Sequence, residues 1–429
     1  MQRRPGKVRP FQISRSESGK NSNETNDPHS FHSMTGSFFI DKTRSKAKVP
    51  IRLALPLLVL LALLLSFATF RFILVDRTMG TKTNSPSTTV STGGNPTETH
   101  SPIDSPRIRS YLQHDPDREP IFKILFQANY NLNDESMFSN DTLAMLPKWS
   151  EVTTFYGSPK VIGLEHCSTY QQFISIDSRT IGVAGTFNSG TNLLSELLQL
   201  NCHIPGGILW QVPWGKHLPA SMRGNHTTRD NQHIPYKSTL PVVTVRDPYT
   251  WMQSMCRQSY NAQFEHAKQH SCPNIIPYPS DIQAHPRFAT MEYIPVHVTY
   301  PSHLKVRHAS LVHMWNEWYN EYVHILPPSI PRLIVRMEDL LFHGQDVITT
   351  ICHCAGGTME TTFHHLPYIA NQHYGIDRNH TEKGLIRSLI QYGNISSRRI
   401  GYPSFQLQAV QDLLDVQLME LFGYPYERN

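Results

Sequence analysis

The chain has 429 residues and a formal net charge of +5. Apolar residues make up 39% of it, enough for a large folded domain, but the polar excess is uneven along the chain. Much of the positive charge sits in the first 50 residues, so the balance gives no footprint of a nucleic-acid partner, and none is expected.

Residues 1–52 are polar and read as a disordered tail. Leu53 to Phe70 follows as an uncharged run, and beyond Arg71 the apolar character resumes through Phe72, Ile73, Leu74 and Val75. At about 1.5 Å per residue, a helix over residues 53–75 spans a hydrocarbon core of about 30 Å. Lys42, Arg44, Lys46, Lys48 and Arg52 crowd its N-terminal side. Cations stay cytosolic, so a single-pass type II signal-anchor is expected, with the bulk of the chain in a lumen. A cleaved signal peptide needs its apolar region near the start, and here a long polar stretch precedes it.

From Thr78 to Ser105 the chain is rich in Ser, Thr, Pro and Gly and reads as an extended stalk, assigned to residues 76–120. The lumenal domain is then residues 121–429. All six cysteines (Cys167, Cys202, Cys256, Cys272, Cys352 and Cys354) lie beyond the apolar run, which suits disulfides in an oxidising compartment and leaves their pairing open. The sequons at Asn140, Asn225, Asn379 and Asn394 are compatible with that location. Tail, anchor, stalk and large lumenal domain together resemble the plan of Golgi-resident transferases.

Thr180 to Ala184 (TIGVA) predicts a buried strand. The loop GTFNSGTN, Gly185 to Asn192, comes next, and LLSELLQL predicts an amphipathic helix. A glycine-bounded loop between strand and helix turns backbone N–H groups toward one point, where the helix end adds partial positive charge, so a phosphate fits there. A nucleoside-triphosphatase loop needs G-x-x-x-x-G-K-S/T, with Lys on the terminal phosphates and a hydroxyl on Mg²⁺. Here those positions hold Thr191 and Asn192, against a kinase or ATPase. Pro241 to Val245 (PVVTV) predicts a second buried strand ending in Arg246-Asp247-Pro248. Asp247 suits an N-cap and Pro248 the first helical position. Ser254 lies eight residues after Arg246, about two turns into that helix. Leu333 to Arg336 predicts a third strand leading into Met337-Glu338-Asp339-Leu340-Leu341, and Ser310 to Val323 predicts a helix packed in the core.

The first loop resembles the 5′-phosphosulfate-binding loop of sulfotransferases that use 3′-phosphoadenosine 5′-phosphosulfate (PAPS), whose common form is P-K-S-G-T-T. Ser189, Gly190, Thr191, Leu193 and Leu194 match it. The second element resembles the same family's 3′-phosphate motif, a strand-end Arg with a helical Ser eight residues on. Arg336 to Leu340 looks like the family's R-x-E-D-L segment. The resemblance runs from about Thr180 to Phe422 and implies an α/β, P-loop-like three-layer fold with a central, mainly parallel sheet. It implies that Gly185, Asn188, Ser189, Gly190, Thr191 and Asn192 hold the 5′-phosphate of PAPS, that Arg246 and Ser254 hold its 3′-phosphate, and that no metal takes part. The family's Lys is replaced by Asn188, and Phe187 stands where its Pro is usual. Losing one charge stabiliser of that kind costs on the order of 10²–10³ in rate.

Between the two motifs lies Trp214-Gly215-Lys216-His217-Leu218-Pro219. His217-Leu218-Pro219 looks like the family's K-x-H-L-P stretch, whose His takes the acceptor's proton, and imidazole titrates in the right range. Lys216 stands one residue closer to the His than usual and is the candidate to supply the cation absent at Asn188. Glu196 on the first helix is the carboxylate alternative. The expected activity is sulfuryl transfer in the Golgi lumen to a glycan or glycoprotein hydroxyl, with self-association left open. Two rivals stand beside it. One is a sulfotransferase-fold binding protein with little or no turnover. The other is a glycosyltransferase, for which Asp115-Pro116-Asp117 is the sole metal-binding triplet of the Asp-x-Asp form.

Overall fold

The computed structural model describes residues 105–224, 235–267, 269, 271–300, 304–367 and 384–426. The tail, the expected membrane span at 53–75 and most of the expected stalk lie outside the described residues. Among the described residues no helix is long and apolar enough to cross a membrane.

The central sheet grows from three continuous apolar runs. Strands β2 (Thr180–Gly185) and β5 (Thr239–Val245) are buried at every position, as is β9 (Leu333–Arg336). Unbroken burial is the mark of parallel strands covered on both faces. With β1 (Val161–Ile162) and β4 (Ile208–Leu209) they form a sheet in the order β1-β9-β5-β2-β4. The pairs β2–β4, β2–β5 and β5–β9 are parallel, and β1 closes the β9 edge antiparallel. The fold is therefore α/β with a mixed central sheet. Two small antiparallel sheets complete it: β3 (Cys202–His203) with β10 (Thr358–Met359), and β6 (Ala262–Gln263), β7 (Val296–Thr299) and β8 (Lys305–His308).

Register decides where the loops go. β2 and β5 pair from Thr180↔Thr239 to Gly185↔Thr244, and β5 and β9 pair up to Val245↔Arg336. The three strands end at one level, so the chain segments that follow them are neighbours. Open α/β sheets gather ligands at such an edge.

The helix expected after each strand is present. Helix Thr191–Asn201 follows β2, helix Pro248–Arg257 follows β5, and helices Met337–Phe342 and Gly344–Ala355 follow β9. Helix Leu311–Asn320 is capped by Ser310 and buries Trp315, Trp318 and Tyr319, the core role expected of it. Helix Pro106–His114 buries Ile108 and Leu112 in that core, so folded structure begins inside the segment assigned to the stalk and ahead of Ile121.

The segment after β9 is a tie. Arg336 is buried and grips Asp339 with two bonds of 2.7 Å each. Its remaining donors reach the carbonyls of Tyr156, Gly423 and Ser158. Glu338 accepts from the Asp247 amide at 3.1 Å and from the Tyr424 hydroxyl at 2.7 Å. Burial, and then the Asp247 charge, push the Glu338 carboxyl up to about 7. All six cysteines pair, as Cys167–Cys354, Cys202–Cys352 and Cys256–Cys272.

Removing one partner of a buried ion pair strands the other charge, so Asp339→Ala is expected to cost about 3–5 kcal/mol. Denaturant unfolding of the variant against the parent measures it, and a loss under about 1 kcal/mol contradicts the tie.

Candidate functional site: two loops at the C-terminal ends of neighbouring strands

The loop after β2 folds back on itself. Ser189 is fully buried, and its hydroxyl donates to the Thr186 carbonyl at 2.8 Å and meets the Thr244 hydroxyl at 2.9 Å. A side chain on Gly185 would run into that knot, its Cβ falling 2.3 Å from Ser189 Oγ. Asn188 takes a left-handed conformation (φ 60°), which Asn tolerates better than most residues. Gly190, also left-handed (φ 91°), is the cap residue of helix Thr191–Asn201. Gly190 brings no side chain to cap the first turn of that helix, which starts with Thr191 and Asn192 and carries the helix's partial positive charge.

The second element meets the first directly. Arg246, buried at the end of β5, donates from Nη1 to the Asn188 carbonyl at 2.9 Å. Its Nε and Nη2 donate to Thr250 Oγ1 and to the Thr250 carbonyl, at 3.3 and 3.0 Å. Nη2 also reaches the Tyr392 hydroxyl at 2.5 Å. The indole of Trp251 donates to the Phe187 carbonyl at 2.6 Å, a further stitch between loop and helix. Asp247 caps helix Pro248–Arg257 through the amides of Tyr249 and Thr250, as expected, and forms an ion pair with Arg398.

Ser254 lies on the same helix face, one turn beyond Thr250, and its hydroxyl accepts from Arg257 Nη2 at 2.6 Å. Thr250, Ser254 and Arg257 are spaced by four and three residues, which puts them on one stripe. Burial, and then the charge of Arg246, pull the Arg257 guanidinium below its ordinary range. Neither arginine is paired with a carboxylate among the described residues. Sequence reasoning passed over Arg257, although its spacing from Ser254 was a readable signal.

Lys216 and His217 attach to the first loop through the end of β2. The Gly185 amide donates to the Lys216 carbonyl at 3.0 Å, and His217 Nδ1 bonds the Gly185 carbonyl at 2.7 Å. A carbonyl only accepts, so Nδ1 carries the proton and Nε2 is the basic nitrogen of the neutral ring. The His217 ring packs against Phe187, with centroids 4.8 Å apart. Lys216 is buried, and its ammonium donates to Asn192 Oδ1 at 3.0 Å. Burial pulls Lys216 down to about 7, with the Glu196 carboxylate pulling the other way.

The residues singled out from sequence are thus one constellation around the ends of β2 and β5. Asn188 departs from the expected geometry. Its amide turns to the Gln258 carbonyl at 2.7 Å, so it braces the second helix rather than aiming a donor along the loop. Lys216 is the cation nearer the first helical turn. Asp115 and Asp117 sit elsewhere: Asp115 pairs with Arg118, and Asp117 accepts from the amide and hydroxyl of Ser150. Among the described residues no group of three or more His, Cys, Asp or Glu is placed to hold a metal ion. A cleft of about 1120 Å³ opens beside the second element, lined by Gln253, Arg257, Gln269, Gln391 and Ser397 among others. It reaches the second element at Arg257 and does not include the Gly185–Asn192 loop.

No protein-family model matches this chain, and no curated protein matches it either.

Gly190 is required by its backbone and by its neighbour, since a Cβ there would fall 2.4 Å from Met337 Cγ. Gly190→Ala is therefore expected to destabilise the chain by about 1–3 kcal/mol, read in denaturant unfolding. Wild-type stability in the variant contradicts the loop geometry.

Proposed function

We propose that the domain is a PAPS-dependent sulfotransferase, moving a sulfuryl group to an acceptor hydroxyl on a glycan or glycoprotein. The proposal extends to a P-loop-like three-layer fold, to a Golgi membrane protein anchored by residues 53–75, and to a lumenal catalytic domain. One observation supports it above the others: Arg246 donates to the Asn188 carbonyl at 2.9 Å, which joins the second element directly to the loop of the first. The fit is electrostatic. A buried guanidinium near a second one, neither paired with a carboxylate among the described residues, is costly until an anion arrives. A nucleotide with phosphates at both ends of its ribose supplies two anions at a spacing that suits two elements.

In this reading the Gly185–Asn192 loop, with Asn188, Ser189, Gly190, Thr191 and Asn192, takes the 5′-phosphate end. Arg246 and Ser254 take the 3′-phosphate. Bound PAPS supplies the sulfuryl group on a leaving phosphate. His217, held by Gly185 through Nδ1–H, accepts the acceptor hydroxyl's proton at Nε2. Lys216 supplies, beside Asn192, the positive charge that Asn188 lacks. Desolvation leaves that lysine ready to gain a proton when an anion binds next to it.

The turned-away amide of Asn188 favours a second reading, a nucleotide-binding protein of the same fold with little turnover. Radiolabelled PAPS offered to the full chain in detergent, with a panel of glycans and tyrosine peptides, separates the two. Transfer supports the enzyme. Binding of adenosine 3′,5′-bisphosphate (PAP) without transfer supports the second reading, and absence of PAP binding sinks both. His217→Gln is expected to lower transfer by about 10²–10⁴ while PAP affinity holds. Arg246→Ala is expected to weaken PAP binding by at least about tenfold.

The Lys216 shift sets a pH dependence. Its free-site value near 7 lies below the ordinary 10.5, and a bound anion favours the protonated form. Nucleotide affinity is therefore expected to fall as pH rises through about 7 toward 8.5, where the phosphates are already fully charged. Calorimetric titration measures it, and Lys216→Met is expected to flatten the profile. An unchanged slope in the variant removes Lys216 from the site.

A further inference from the structure

We propose that Arg257 is a specificity-determining residue, a second guanidinium that selects a nucleotide carrying a 3′-phosphate over one ending in a 3′-hydroxyl. The inference rests on the nucleotide reading above and adds a residue and a discrimination to it. Its basis is the arrangement on helix Pro248–Arg257. Thr250, Ser254 and Arg257 share one stripe, and Arg246 holds the Thr250 end with two bonds. At the other end Arg257 Nη2 donates to Ser254 Oγ at 2.6 Å. The stripe thus carries Arg246 on Thr250 and Arg257 on Ser254, one turn further along.

The two arginines differ in how committed they are. Of the five N–H groups of Arg246, four are directed at Thr250, Asn188 and Tyr392, so Arg246 has one donor left for a ligand. One donor holds a phosphate poorly. Among the described residues Arg257 makes one side-chain bond, to Ser254, and it lines the cleft beside the helix with its side chain partly open to solvent and its guanidinium partly enclosed. It can offer paired donors to a phosphate in the geometry that guanidinium groups favour. Arg246 then positions the loop and keeps one donor for the phosphate, Ser254 donates its hydroxyl, and Arg257 supplies the second charge that a dianion demands. Cys256, the residue before it, is bonded to Cys272, and both line the same cleft, which holds the helix end and its arginine against the wall.

The test compares two nucleotides on the full chain in detergent, PAP and adenosine 5′-monophosphate (AMP), by calorimetry. Wild type is expected to prefer PAP. Arg257→Met is expected to weaken PAP about ten- to hundredfold, the worth of one or two charge-assisted hydrogen bonds, and to leave AMP affinity unchanged. Arg257→Lys, which keeps the charge and loses the fork, is expected to fall between them, and its folding is checked by thermal unfolding. Equal losses for both nucleotides, or no loss for PAP, overturn the role of Arg257 while the nucleotide reading survives. A wild-type chain that binds PAP no better than AMP overturns the nucleotide reading itself.

Discussion

A single guanidinium joins the two halves of the candidate site. Arg246 leaves the end of β5 and crosses to the carbonyl of Asn188 in the loop after β2. The crossing is possible because β2 and β5 pair in parallel and end level, at Gly185↔Thr244. It also requires a left-handed residue at Asn188, which turns that carbonyl toward the neighbouring strand. The amide of Asn188 bonds Gln258 in the same direction. Loop and second helix are thus fastened by backbone and side chain together, and among the described residues no carboxylate pairs with Arg246.

That junction explains why a departure from the expected motif need not empty the site of charge. A lysine at position 188 would carry its ammonium away on a long stem, whereas asparagine braces the helix instead. Lys216 enters from the segment that tracks the end of β2 and places its ammonium beside Asn192. There it also lies over the Trp210 ring. Burial disfavours its charge, and Glu196 offsets this in part.

The strands that build the site were legible because each is a run of buried apolar residues bounded by a turn signal, as in TIGVA, PVVTV and Leu333–Arg336. The cap at Asp247-Pro248 was legible for the same local reason. What sequence did not show depends on contacts between distant residues. The β6–β8 sheet is made of strands with alternating or mixed exposure, and its partners are separated by loops without a periodic pattern. Helix Pro106–His114 looked like stalk because its composition is polar, and only Ile108 and Leu112 commit it to the core. The pairing of six cysteines was open for a similar reason. Arg257 differs from these cases, since its spacing from Ser254 was readable and only its proximity to Arg246 gave that spacing meaning.

Two of the bridges attach to one short stretch. Cys352 and Cys354 sit two residues apart near the end of helix Gly344–Ala355, and they reach back 150 and 187 residues to Cys202 and Cys167. A chain made from its N-terminus onward exposes both early cysteines long before either partner exists. These two crosslinks can close only after Cys352 and Cys354 have emerged. Until then two thiols wait with a nearer wrong partner in each other and in Cys256 and Cys272, so correct oxidation calls for a thiol–disulfide exchange catalyst acting late in synthesis.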